Sequence, residues 1–420
     1  MTSSQPYRID LLGAVLICIV VLVIAPRAQA SKIVSQLELS EPGGTYDVAR
    51  IIVVGDGSFI AVGTKKTPSL GYTEYSDGYL QRFTRERVLW TRIFSGPGDS
   101  SFSSAVKLDQ RTLVVAGSES PGRPISQNDL LPKQAILAKF NIEGGEFLGK
   151  LGFTRDTWRV RSDSFSDIIL LRDGFIVVGA SGQQPPNGIF GSTTTHPWIL
   201  KLDKQGAIRH EEIIQAPDDP DLWDGSIGGI SSLGNNRFAI AGMFATNSVE
   251  RTYAWTKLLT AEVSSDGIAS RVSVADTSDP DKIIHPLPIG AYRDHVIYID
   301  NDSDNDRNVW LVSTCVGCTP EWQFDVHDFQ YGPLSMSGEV LSNGDVALLL
   351  GFYHRQPIST LLGFVSGAGS MLATQTLVLV DAASSGAIAE LPNGVILVVL
   401  SETSPYTMTN QQLRAFFVQR

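Results

Sequence analysis

One phrase recurs seven times along the chain: a strand, a tight turn, then a short apolar strand that often ends in glycine. Its first copy is Asp56-Gly57-Ser58 followed by Phe59-Ile60-Ala61-Val62-Gly63. The later apolar strands fall at 113–117, 175–179, 238–242, 296–300, 347–351 and 396–400, their ends 49 to 63 residues apart. A second strand-turn-strand phrase follows most copies, as in Tyr79-Leu80-Gln81-Arg82-Phe83 and then Val88-Leu89-Trp90-Thr91-Arg92-Ile93. Each unit therefore holds four short strands, a to d. Short strands of even spacing punctuated by glycine turns indicate an all-β repeat. Units of about fifty residues with four strands match propeller blades. The expectation is an all-β, seven-bladed β-propeller of four-stranded blades.

The chain ends bear on closure. The seventh unit has strands at 387–391, 396–400 and 413–418, and the sequence stops before a fourth. The stretch Lys32-Ile33-Val34-Ser35-Gln36-Leu37-Glu38-Leu39 precedes the first strand a and is in excess there. The connection Leu39-Ser40-Glu41-Pro42-Gly43 is similar to Phe94-Ser95-Gly96-Pro97-Gly98, which follows strand d of the first unit. An N-terminal strand that completes the last blade would close the ring and remove two exposed sheet edges.

Residues 1–30 have the pattern of a signal peptide. Arg8 precedes an uncharged, mostly apolar run at 11–25, and Ala28-Gln29-Ala30 offers small residues to a signal peptidase. The run of about fifteen residues is shorter than the roughly twenty that a bilayer span needs. The alternatives are cleavage or retention as an anchor. Cleavage leaves residues 31–420 as one periplasmic or secreted domain with no membrane span. A net charge of −11 and the lack of a dense Lys/Arg cluster argue against nucleic acid as a partner. Cys315 and Cys318 are the two cysteines outside the leader, and an oxidising compartment lets them pair as a disulfide. Thr319 follows the second, so the c-type haem pattern is excluded.

Several phrases are shared by exported bacterial propeller repeats: Asp77-Gly78-Tyr79, Leu200-Lys201-Leu202-Asp203, Gly206, Trp90, Gly96-Pro97-Gly98-Asp99 and Val114-Val115-Ala116-Gly117. The chain resembles that group over most of residues 31–420, with departures in units 4, 5 and 7. The resemblance implies the fold and assigns no catalytic residue.

Candidate sites follow from where loops lie on a rigid scaffold. The d–a and b–c connections of a propeller share one face, and here they include the long segments 64–76, 118–133, 181–197 and 243–252. Trp158, Trp223, Asp221 and Asp224 fall in such links, where an exposed indole beside carboxylates stacks on a sugar or holds a cation. The alternative is that each Trp folds back to cap its blade. His196, His285 and His354 fall near the same face. Asp300, Asp302, Asp304 and Asp306 alternate through one loop, and such oxygens can wrap calcium. The EF-hand spacing fails in this stretch, since neither register supplies the Gly and the Glu. Strand a carries small residues, including Ser103-Ser104-Ala105, Ser166-Asp167 and Gly228-Gly229. They suit a crowded central channel.

No nucleophile elbow, phosphate loop or paired-histidine zinc motif is present. The functional expectation is an extracytoplasmic binding or scaffolding propeller with a protein or glycan partner on the long-loop face. The alternative is a hydrolase or lyase acting on a sugar or lactone at the channel mouth.

Overall fold

The computed structural model describes residues 31–39, 45–68, 74–122, 132–154, 162–183, 194–215, 222–246, 256–276, 287–292, 295–301, 309–316, 320–325, 333–352, 359–378, 382–403 and 412–420. Among them are 28 strands. β1 (Lys32–Glu38) comes first. Blade 1 holds β2 (Thr45–Val53), β3 (Phe59–Pro68), β4 (Glu74–Phe83) and β5 (Val88–Phe94). Blade 2 holds β6 (Ser100–Lys107), β7 (Thr112–Glu119), β8 (Gln134–Asn141) and β9 (Phe147–Phe153). Blade 3 holds β10 (Ser164–Leu170), β11 (Gly174–Gln183), β12 (Thr194–Asp203) and β13 (Ile208–Ile213). Blade 4 holds β14 (Leu222–Gly234), β15 (Arg237–Thr246), β16 (Thr256–Ser264) and β17 (Ala269–Asp276). Blade 5 holds β18 (Leu287–Tyr292), β19 (His295–Asn301), β20 (Val309–Cys315) and β21 (Pro320–Asp325). Blade 6 holds β22 (Pro333–Val340), β23 (Val346–Phe352), β24 (Ser359–Val365) and β25 (Met371–Val378). The last three strands are β26 (Ala382–Glu390), β27 (Val395–Thr403) and β28 (Gln412–Gln419).

Six four-stranded sheets are contiguous antiparallel meanders, and a count of contiguous blades stops there. A seventh four-stranded sheet is composite, in the order β1-β28-β27-β26, so the N-terminal strand completes the last blade. The innermost strands β2, β6, β10, β14, β18, β22 and β26 each pack on the next, and β26 packs on β2. The result is a closed ring around a central channel.

Apolar alternation explains where the core sits. It lies between blades. Phe59, Tyr79, Phe83, Val399 and Phe417 form one buried cluster across the seam of blades 7 and 1. Ile60, Leu80, Phe102, Val115 and Phe140 join blades 1 and 2, and Phe165, Phe175 and Trp198 belong to the cluster of blades 2 and 3. Each blade is therefore stabilised by its neighbours, and closure of the ring removes the last open face.

The recurring glycine has a backbone cause. Strand a slips by one residue between Val48 and Arg50, Phe102 and Ser104, Phe165 and Asp167, and Ile227 and Gly229. Gly63, Gly117, Gly179 and Gly242 lie opposite the residue before each slip. A Cβ at Gly63 would stand 1.9 Å from the carbonyl oxygen of Asp47, and one at Gly117 1.9 Å from that of Ser101. In blades 1 to 4 the bulge presses the inner strand against its partner, and glycine leaves room there. Blades 5 and 7 carry Tyr298 and Glu402 opposite the residue before the slip, so their apolar strands do not end in glycine.

Candidate functional site

Strand bounds separate the two ends of the ring. The a–b connections span 2 to 5 residues and the c–d connections 4 to 5. At the other end the b–c connections span 5 to 14 and the d–a connections 3 to 10. Antiparallel pairing puts all the longer connections on one face.

The expected site residues meet different fates. His196 lies on β12 opposite Ser181, half-buried at that face. Asp224 lies on β14, and its carboxylate accepts the backbone N–H of Thr195 at 2.7 Å and the Thr195 hydroxyl. It thereby fastens blade 4 to blade 3 beside His196. Asp99 does the same between blades 2 and 1, accepting the N–H of Ser76 at 3.1 Å. The backbones of Trp223, Asp300 and Cys315 belong to β14, β19 and β20, but their side chains lie outside the description. Trp158, Asp221, His285, Asp302, Asp304, Asp306, Cys318 and His354 also lie outside the described residues. Among the described residues, no three His, Cys, Asp or Glu side chains gather as a metal site.

The short-turn face is laced by charge. Arg82 of β4 reaches Asp56 in its own blade at 2.5 Å and the Ile142 carbonyl in the next blade at 3.0 Å. The Trp90 indole donates to the same carbonyl at 3.2 Å. Ser58 holds the Asp56 carboxyl below its ordinary range, with help from Arg82. Lys201 repeats the device on β12, pairing with Asp173 at 2.6 Å. A cleft of about 450 Å³ between blades 3 and 4 is lined by Asp173, Lys201, Asp203, Arg209, His210, Asp266 and Ile268. Its lysine and arginine are already matched, Lys201 by Asp173 and Arg209 by Asp203 at 2.7 Å. We assign this cleft a structural role as the seam of two blades.

The channel holds charges that the sequence did not single out. The residue after the bulge in strand a is Ser104 in blade 2, Gly229 in blade 4 and Ser385 in blade 7, but Arg50 in blade 1 and Asp167 in blade 3. Asp167 is buried and well supplied with donors. Its Oδ1 accepts from the Ser104 hydroxyl at 2.6 Å and from the Ile168 N–H at 2.9 Å. Its Oδ2 accepts from the Ile230 N–H at 3.1 Å, so one carboxylate ties blades 2, 3 and 4. Arg50 crosses toward it, with Nη1 4.0 Å from Oδ1. Arg50 keeps 46% of its side-chain surface open. Glu339 on β22 enters the same space. Burial raises its carboxyl to about 7; Arg50 pulls it down, while Asp167 and Glu390 push it up. A signal existed for two of these residues: Arg50 and Asp167 stand where blades 2, 4 and 7 carry Ser or Gly.

No family model matches the chain, and no curated protein matches it. Solved β-propeller structures do align with it. An α-L-arabinofuranosidase of Fusarium graminearum is 11% identical over 92% of this chain and 98% of its own, with a TM-score of 0.47. A sialidase of Streptococcus pneumoniae is 10% identical over 95% of this chain and 72% of its own, with a TM-score of 0.46. A europium-containing methanol dehydrogenase is 8% identical over 93% of each chain, with a TM-score of 0.44. The chain is similar to these proteins in fold, and no activity of theirs passes to it at such identities.

Proposed function

We propose that the chain is an extracytoplasmic binding propeller that recognises a protein or glycan partner at the end of the ring bearing the long connections. One observation carries this reading: connections of up to 14 residues collect on one face, while turns of 2 to 5 residues close the other. A closed ring of blades fixes the roots of those connections, and loops on a rigid base are where recognition residues commonly sit. Asp99 and Asp224 brace the roots by bonding strands of adjacent blades.

The test shortens connections on the two faces. Replacing residues 123–131 and 184–193 by short Gly-Ser links should leave the melting temperature near that of the parent. It should abolish cross-linked capture of the partner by the exported protein. Redesigned turns at 84–87 and 204–207 on the opposite face serve as the control and should retain capture. Capture that survives the first change and is lost with the second would overturn the assignment of the face.

A further inference from the structure

We propose that one side of the ring's outer rim rests on a lipid bilayer through Leu372, Val34, Leu89 and Leu148, with the apolar run at 11–25 as its anchor. The inference takes that run as retained, the second of the alternatives its sequence offers. The surface lies toward the opposite end of the ring from the partner face proposed above.

The outermost strand of every blade bulges beside its c–d end. The residue left unpaired is Val34 in blade 7, Leu89 in blade 1, Leu148 in blade 2 and Leu372 in blade 6. In blade 3 it is Arg209, in blade 4 Arg271 with Val272, and in blade 5 Glu321. Charge is the usual guard of an open strand edge, because it discourages pairing with other chains. Blades 3, 4 and 5 follow that rule. Blades 6, 7, 1 and 2 are consecutive in the ring and break it at one level of the rim. Their four bulge residues are 38 to 56% exposed. Ile93, Phe147 and Leu151 on the same outer strands are exposed as well. Among the described residues only two other large apolar side chains are exposed, Ile208 and Ile268, and they stand beside the charged cleft of blades 3 and 4. An exposed apolar surface gathered on one side marks contact with protein or membrane.

The entry of the chain into the ring favours membrane. Ser31 is buried, and its hydroxyl donates to the Thr374 carbonyl of β25 at 3.4 Å. The chain therefore arrives between blades 6 and 7, inside the arc and at the end that bears the bulges. Residues 26–30 alone separate Ser31 from the apolar run. Six peptide steps reach at most about 20 Å. A run held in lipid thus keeps this side of the rim at the bilayer surface. The c–d end of blades 7 and 1 carries Lys32, Arg85 and Arg87 against Glu86, which suits lipid phosphates. A convex rim meets a flat bilayer most closely at the middle of the arc, so Val34 and Leu89 sit deeper than Leu372 and Leu148.

The test reconstitutes the full chain through its N-terminal run into phosphatidylcholine nanodiscs, part of whose lipid carries a diazirine in the acyl chain. Irradiation and peptide mapping read where lipid attaches. Adducts on residues 11–25 are the internal control. We expect further adducts on β1 and β5, weaker ones on β9 and β25, and none on β13 or β17. Val34→Asp with Leu89→Asp should lose the adducts of β1 and β5 and keep those of the control. Both side chains are exposed, so the melting temperature should hold; if the pair fails to fold, the labelling pattern of the parent decides. Adducts confined to residues 1–30 overturn the inference, as does equal labelling of β13 and β17. Two copies in each disc with no adducts on the arc would assign it to a second copy instead.

Discussion

Glu339 ties the stability of the fold to pH. A carboxyl that titrates near 7 in the folded chain and near 4.5 elsewhere binds its proton more tightly when folded. The sign follows from linkage. The stabilisation is complete below about 4.5 and is lost as pH rises through 7, because the ionised form is poorly compensated in the channel. Glu339→Gln cannot ionise. We expect it to match the parent at about pH 4 and to exceed it at pH 8 by about 2 kcal/mol, allowing for relaxation below the 1.4 kcal/mol per unit limit. Calorimetry should read this as a gain of about 2–3 °C at pH 8 alone. An equal gain at both pH values would place the effect in packing instead. The meeting of these charges was not legible in the sequence. Arg50, Asp167 and Glu339 sit in three different blades, and only the closed ring brings them together. Ser166-Asp167 looked like one more small-residue pair for a crowded channel. Asp224, conversely, stood out beside a Trp and proved to be a fastening between blades. Local sequence shows residue type, whereas engagement depends on what the neighbouring blade supplies.

Strands and turns were far more legible, because their causes are local. The run Phe59-Ile60-Ala61-Val62 is apolar because strand b is buried on both sides, all four residues being 4% exposed or less. The Gly63 after it was visible, but its reason, the bulge opposite, was not. The phrase Leu200-Lys201-Leu202-Asp203 was recognised as a repeat marker, and the structure shows what each part does. Leu200 and Leu202 are fully buried, Lys201 reaches the a–b turn, and Asp203 accepts the N–H groups of Gln205 and Ala207 in the c–d turn. Arg82 is the strongest form of this clamp, since it also reaches the next blade. Arg82→Met keeps the stem and removes the head. It leaves the Ile142 carbonyl with the Trp90 indole as its remaining partner and frees Asp56, which is half-exposed and returns to water. We expect a loss of about 2 kcal/mol in urea unfolding, most of it from the buried polar groups. Adding Asp56→Asn should then cost little more, because both changes remove one interaction. Fully additive losses would mean that Arg82 acts through its bonds to blade 2 alone.

The ring as a whole is closed by seven residues from the other end of the chain. β1 pairs with β28 from Lys32 opposite Gln419 to Glu38 opposite Arg414. The Leu39 N–H donates to the Leu413 carbonyl at 2.7 Å, and the Leu39 carbonyl accepts from Gln81 of blade 1 at 2.7 Å. Leu39 is 2% exposed and belongs to the cluster that joins blades 7 and 1. Removing residues 32–39 would open that cluster, bare the edge of β28 and leave Gln81 with Thr91 as its remaining acceptor. Burial of Leu39 alone accounts for about 2–5 kcal/mol by analogy with large-to-small core changes. The melting temperature should fall by about 5–10 °C in a chain of this size. Truncation alone could damage folding for other reasons, so the geometry offers a sharper test. Lys32 and Gln419 are direct neighbours across an antiparallel ladder, and a two-residue turn can join such strands. A circular permutant that begins at Gly44 and continues from Arg420 through Asn-Gly into residues 31–43 makes all seven blades contiguous. It should melt within a few degrees of the parent, because every strand keeps its partners. If the truncated chain melts like the parent, β1 is not the closure of the ring. If the permutant falls as far as the truncation, the covalent order of β1 and β2 matters more than their pairing. Recovery in the permutant alone assigns the loss to the missing strand, and so to ring closure.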